Sequence, residues 1–232
     1  MTTIGTDGDR PPTAGDDRCD ARGRRVIFAA HCLLNENVRY SGGATRSGGV
    51  DEFVDAAQRG GLGIIQMTCP EQRAWGGVLK RRMLLGVGAD RRRLGLIRKL
   101  VLPLFVAYSR WRYDRLAATV AAEIADYRRA GFDVVGIVGV DGSPSCGVRR
   151  TLNVARAADA LARCDPTAID ATAFNERVVG ANVIPGSGLF TTALRRRLRR
   201  RRLGVAWFGH DLLAELEGRR RLPPDLDRAL SA

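Results

Sequence analysis

A chain of 232 residues, 45% of them hydrophobic, is long enough for one domain with a real core. Its formal net charge of +13 comes almost wholly from arginine, with Lys80 and Lys99 the only lysines, so part of it reflects GC-rich coding rather than a dedicated basic surface. Five cysteines, an odd number, and no apolar N-terminal segment argue against a secreted disulfide scaffold. The expectation is a reduced, cytoplasmic protein whose cysteines bind metal, react or are simply buried.

Residues 1–24 are polar and aperiodic and read as a disordered leader, which leaves 25–232 as a single domain. The run from Arg24 to Ala30 reads as a buried first strand, and Asn35 to Gly49 as a long polar loop. Asp51 to Arg59 reads as a short helix, with acids in its first turn and Gly60-Gly61 ending it. Leu62 to Met67 is a second strand. The stretch from Arg91 to Arg112 mixes apolar and basic residues around Pro103. Its apolar centre, Leu100 to Tyr108, is too short to span a bilayer, which takes about 20 residues. Tyr113, Leu116, Val120, Ile124 and Tyr127 recur at helical spacing up to Gly131.

Asp133 to Val140 is a nearly continuous Val/Ile run, as in a strand covered on both faces. Residues 151–170 read as loop, and Phe174 to Val179 as a helix. A further helix starts in Pro185-Gly-Ser-Gly-Leu-Phe and runs through Arg195–Arg202. Gly204 to Phe208 is the last strand and Asp211 to Glu217 the last helix. This alternation predicts an α/β fold, an open Rossmann-like three-layer sandwich with a mainly parallel sheet; it fixes neither strand order nor oligomeric state.

Three cysteines stand where apolar runs end: Cys32, Cys69 and Cys146. If the runs are neighbouring parallel strands, the thiols meet along one sheet edge, where open α/β sheets bind ligands. One strand-end cysteine alone is more often a small buried residue than a ligand. Three converging thiolates with no obvious fourth point to a metal or iron–sulfur site with an open position. The small residues of Gly142-Ser-Pro-Ser-Cys-Gly let backbone approach a bulky inorganic group, and Ser143 and Ser145 can hydrogen-bond to it. Glu71, two residues after Cys69, is placed to shuttle a proton. His31 would point away from Cys32 if both were still in the strand. Cys19 and Cys164 read as non-ligands. A zinc site with Cys32, Cys69, Cys146 and His31 or His210 remains open, although the close Cys-x-x-Cys pairs usual for zinc are missing.

His31-Cys-Leu-Leu-Asn-Glu-Asn-Val-Arg-Tyr-Ser-Gly-Gly, Cys69-Pro-Glu and Gly142-Ser-Pro-Ser-Cys-Gly, in this order, resemble the DUF523 family, which includes the TudS thiouracil desulfidases. The resemblance covers roughly Val26 to Val148, with a weaker echo in Gly186-Ser-Gly-Leu-Phe. It implies a [4Fe-4S] cluster held by Cys32, Cys69 and Cys146, with the fourth iron free to bind a thiocarbonyl sulfur. It also implies an enzyme that hydrolyses a small thiolated substrate such as a thiopyrimidine and releases sulfide without net electron transfer. Glu71 and Ser143 are then the expected catalytic residues, and Asn35, Tyr40 and Ser145 the expected substrate contacts. Two departures flank the expected pocket: Asn35 stands where better-known members carry glycine, and Gln72-Arg-Ala-Trp-Gly-Gly replaces a Pro-Arg-bearing segment. Alternatives are a tRNA thiouridine desulfidase docked through Arg91–Arg93 and Arg195–Arg202, and a zinc-binding or non-catalytic cluster-bearing RNA-binding module.

Overall fold

A computed structural model describes residues 21–80, 94–164 and 170–231, and of 94–100 only the helical backbone. The expectations for residues 1–20, Cys19 among them, and for Arg91–Arg93 lie outside these residues. Strand β1 is Arg25–Ala30, and a single helical turn, α1, follows over His31–Leu34. Helix α2 (Asp51–Arg59) leads to β2 (Gly63–Met67) and the short α3 (Pro70–Ala74). Helix α4 (Leu94–Arg129) leads to β3 (Asp133–Asp141). Helix α7 (Leu189–Arg200) leads to β6 (Trp207–Asp211). Between β3 and α7 the chain makes an excursion. It comprises β4 (Arg150–Leu152), α5 (Val154–Arg163), α6 (Ala171–Phe174), a wide π-type turn over Asn175–Val179 and β5 (Val183–Pro185). The chain closes with α8 (Leu212–Leu216) and α9 (Pro224–Ser231).

The sheet is wholly parallel, in the order β2-β1-β3-β6, and β4 and β5 form a separate antiparallel pair. The near-continuous apolar runs of β1 and β3 are explained by cover on both faces. Helix α4 packs beside α7, and α2 beside α9. The result is a three-layer α/β sandwich of Rossmann-like type. Strand order reverses at β1: the chain steps one way to β2, then back past β1 to β3. That makes the carboxyl edge between β1 and β3 the topological switch point, where such sheets leave a crevice.

Several sequence expectations change. The region around Pro103 and the helix ending at Gly131 are one helix of 36 residues. Pro103 lacks the N–H that would bond four residues back, yet the flanking turns continue. The inward face of α4 is Tyr113, Ala117, Val120, Ala121 and Ile124. Leu116 is only partly buried, because the close approach to the sheet is made over alanines. The stretch 151–170 read as loop holds β4 and α5; α5 is short and built largely from alanine, so its apolar stripe is faint. The last strand lies three residues later than read, over Trp207–Asp211, because pairing with Ile137–Asp141 sets its extent. None of the described helices is long and apolar enough to cross a membrane.

Candidate active site

The ends of β1, β2 and β3 carry the three expected cysteines to one place. Cys32 lies in α1, two residues past β1; Cys69 lies two residues past β2 and caps α3. Cys146 lies five residues past β3, but its loop folds back: the carbonyl of Cys146 accepts from the N–H of Val140 at 3.2 Å. Glycine makes that return possible. A Cβ on Gly139 would stand 2.1 Å from the Cys146 carbonyl oxygen, and one on Gly188 would stand 2.3 Å from that of Ser145. The first N–H groups of α7 complete the clasp, with Leu189 donating to the Pro144 carbonyl at 3.0 Å and Phe190 to that of Ser145 at 3.1 Å.

All three thiols line one cavity of about 330 Å³, and none is in a disulfide. Each sulfur has a polar neighbour. The Arg39 guanidinium lies within electrostatic reach of Cys32. The Gln72 N–H donates to Cys69 at 3.4 Å, and the Ser145 hydroxyl oxygen lies 3.6 Å from the Cys146 sulfur, with its single proton given to Glu71. Burial pushes all three thiols up, Cys69 to about 12, and nearby thiols add to the shift at Cys69 and Cys146. Without a cation among them they are neutral thiols. A metal group would be needed to hold them as thiolates, and the Gln72 N–H at Cys69 and the Arg39 charge near Cys32 favour that form. Tyr113 adds a further sign. Its hydroxyl is buried within electrostatic reach of Glu71, Cys146 and Cys69, and it has no hydrogen-bond partner among the described residues.

Among the described residues, no three of His, Cys, Asp and Glu stand close enough to share one metal ion. Three cysteines on a single zinc would bring their sulfurs to ~3.8 Å of one another, given a Zn–S bond near 2.3 Å. His31 does line the cavity, contrary to the strand-based expectation, because β1 ends at Ala30 and a helical turn brings His31 and Cys32 to the same side. His210 points elsewhere: its Nε2 meets Glu215 Oε2 at 3.1 Å.

Beside the thiols lies a compact polar relay. Glu71 is buried; its Oε1 accepts from Ser145 at 2.8 Å and from Ser143 at 3.2 Å, and its Oε2 pairs with Lys80 at 2.6 Å. Burial pushes the Glu71 carboxyl up, but the Lys80 ammonium and the two hydroxyls outweigh it, and the net shift is downward. Lys80 moves the opposite way, held charged by Glu71 against the same burial. The two shifts agree on an ionised pair. The Ser143 hydroxyl also accepts the N–H groups of Ser145 and Cys146, both at 3.2 Å, which fixes the loop as well as the relay.

The remaining expected contacts divide. Tyr40 lines the cavity; its hydroxyl donates to Asn175 at 2.8 Å, and burial pushes that phenol up to about 12. Asn35 does not line the cavity, and the substrate role expected for it is not supported. Its side chain accepts from the Asn37 N–H at 3.1 Å and caps the turn over Glu36–Val38. Cys164 ends α5 away from the cavity. Of the Arg195–Arg202 cluster, Arg195 stacks 4.8 Å over Trp207, and Arg196 and Arg197 pair with Asp114.

Sequence reasoning missed two basic residues here. Lys80 carried a signal: it is one of two lysines in a chain that otherwise uses arginine. Arg39 lay in what reads as a polar loop, yet that loop is pinned from inside. Glu36, 0% exposed, pairs with Arg39 at 3.2 Å and Arg46 at 3.1 Å, and Arg39 pairs with Glu215 at 2.9 Å. This charged knot holds the Arg39 guanidinium within electrostatic reach of Cys32. Comparison of the chain with protein-family models, curated proteins and solved structures finds no match.

Proposed function

We propose that the protein is a desulfidase that replaces the sulfur of a thiocarbonyl compound with oxygen, using a [4Fe-4S] cluster held by Cys32, Cys69 and Cys146. The observation that carries the proposal is the convergence of these three free thiols on one cavity at the sheet's switch point. The unpartnered Tyr113 hydroxyl supports the same reading. Bound there through three cysteines, a cluster supplies a Lewis-acidic iron that draws charge onto the thiocarbonyl sulfur.

The chain's own groups handle the rest. The reaction converts C=S and water to C=O and hydrogen sulfide: a C–O bond forms, the C–S bonds break, and both protons of water finish on sulfur, with no change of oxidation state. Glu71, kept ionised by Lys80, is the base that takes a proton from the attacking water. Ser145 spans 2.8 Å to Glu71 and 3.6 Å to Cys146, which makes its hydroxyl the route by which that proton returns toward the sulfur side. Ser143 holds Oε1 of Glu71 and the loop N–H groups in register.

The test is anaerobic purification followed by iron and sulfide analysis. About four irons per chain are expected. Cys32→Ser, Cys69→Ser and Cys146→Ser should each lose iron, and Cys164→Ser should keep it. The loaded protein should release sulfide from one or more members of a panel of thiouracils, thiolated nucleosides and thiolated tRNA. Full iron loading in the Cys146→Ser variant, or no sulfide from any member, would overturn the proposal.

A further inference from the structure

We infer that the exposed face of α4 between Val101 and Arg115 docks the protein on an anionic lipid bilayer. The inference stands apart from the desulfidase reading and needs no cluster. The large apolar side chains that stand exposed among the described residues are Val78, Leu79, Val101, Leu104 and Trp111, and they fall in two short segments. Leu104 is 65% exposed and Trp111 50%. At 3.6 residues per turn, Val101, Leu104 and Trp111 share one side of α4, opposite the buried Ser109, Tyr113 and Ala117. Trp75 anchors the turn that carries Val78 and Leu79 beside the same helix. Its ring lies 5.5 Å from that of Phe105, and its Nε1 donates to Ser109 at 3.0 Å.

The same face turns cationic along the helix. Arg115 falls on the side of Trp111, and the guanidiniums of Arg112 and Arg115 lie 5.8 and 5.3 Å from the centre of the Trp111 ring. From Arg91 to Tyr113 the sequence holds seven cationic residues and no acidic one. Asp114, the next acid, is taken by Arg196 and Arg197.

Charge selects the occupant. A second copy of the chain in a two-fold contact would set this acid-free run against itself and bring like charges together. Nucleic acid would take the arginines and leave leucine and valine in water. An anionic bilayer matches both zones: lipid headgroups meet the guanidiniums, the acyl boundary takes the aliphatic side chains, and tryptophan favours the layer between. The inner face of α4 belongs to the core, so only the exposed side chains enter the headgroup layer. This is docking, not spanning, as the length and polarity of the described helices require.

The test is co-sedimentation of the full chain with vesicles of phosphatidylcholine alone and of phosphatidylcholine with ~30% phosphatidylserine, at rising salt. Binding should be at least about tenfold tighter on the anionic vesicles and should weaken with salt. Leu104→Ser and Trp111→Ser should each leave thermal unfolding in place and weaken binding about tenfold. Arg112→Ala with Arg115→Ala should weaken it about 25-fold, at roughly fivefold per arginine. Arg199→Ala with Arg200→Ala removes the same charge from the C-terminal end of α7 and should change binding less than about threefold. If one serine variant fails to fold, the other and the two arginine pairs decide.

Equal binding to both vesicles, binding to neither, or equal losses from the two arginine pairs overturns the inference. So does a dimer, or retention of single-stranded RNA, that Leu104→Ser abolishes in a protein that ignores vesicles; the face then belongs to that partner. None of these results touches the desulfidase reading, which iron and sulfide analysis decides.

Discussion

His210 is expected to make the fold acid-sensitive by a calculable amount. Burial lowers its pKa to about 4; the guanidiniums of Arg39 and Arg46 repel a further positive charge, against a smaller pull from Asp211 and Glu52. A carboxylate only accepts, so Nε2–H donates to Glu215, and Nδ1 is left buried with no partner among the described residues. A proton added at Nδ1 would be a buried N–H with nothing to donate to. In the unfolded chain the same imidazole titrates near 6.5. Between those two values the unfolded state binds more protons, so stability falls as pH falls, fully present above 6.5 and fully lost below 4. The whole shift is worth about 3 kcal/mol at ~1.4 kcal/mol per pH unit, and the part lost between pH 7.5 and pH 5 is about 2 kcal/mol. Urea unfolding of the wild type and of His210→Gln at both pH values isolates this term. Glutamine keeps a donor for Glu215 and cannot titrate. His31, the other histidine, shifts the same way but is present in both proteins and cancels. The wild type should lose about 2 kcal/mol more than the variant. Parallel losses in the two proteins would refute the reasoning.

Other substitutions probe the architecture around the thiols. Glu36→Gln removes the buried charge that Arg39 and Arg46 share, and it should cost roughly 3 kcal/mol in urea unfolding; a loss under ~1 kcal/mol would mean the knot is not what holds the loop. Gly139→Ala drives a methyl to 2.1 Å from the Cys146 carbonyl oxygen and 2.7 Å from Val148 Cγ2, so the loop must move. The expected result is a loss of about 1–3 kcal/mol together with reduced iron content after reconstitution, and wild-type values of both would refute the clasp. Ser145→Ala removes the contact between Glu71 and Cys146 without touching the Lys80 pair. Iron content should hold while single-turnover sulfide release slows by about 10- to 100-fold, the scale of a lost proton route; an unchanged rate would remove Ser145 from that route.

What the sequence made legible, and what it did not, follows the range of the forces involved. Strands β1, β2 and β3 were visible because strands covered on both faces must be apolar along their whole length, and that mark is local. Their adjacency was not local. Yet parallel strands joined through helices place every carboxyl end on one edge, so the meeting of Cys32, Cys69 and Cys146 could be anticipated without the strand order. Glu71 followed from its closeness in sequence to Cys69. Asn35 failed by the same logic, because next to a ligand in sequence is not the same as facing the cavity; its side chain is taken by a turn that begins one residue later.

The apolar outer wall of the cavity shows where sequence reading runs out. Leu161 and Phe174 come from an excursion of short elements between β3 and α7, and Val101 and Phe105 from a helix whose pattern is blurred by Pro103 and by basic residues. No single stretch there has the period of a binding site, since each element contributes only a few residues to a surface assembled from elements far apart in the chain. The floor of the cavity is built at strand ends, which the fold class places. Its wall is built from what this particular chain inserts between strands. Chemistry therefore belongs to the part of the site that a sequence pattern reaches, and substrate choice to the part that it does not.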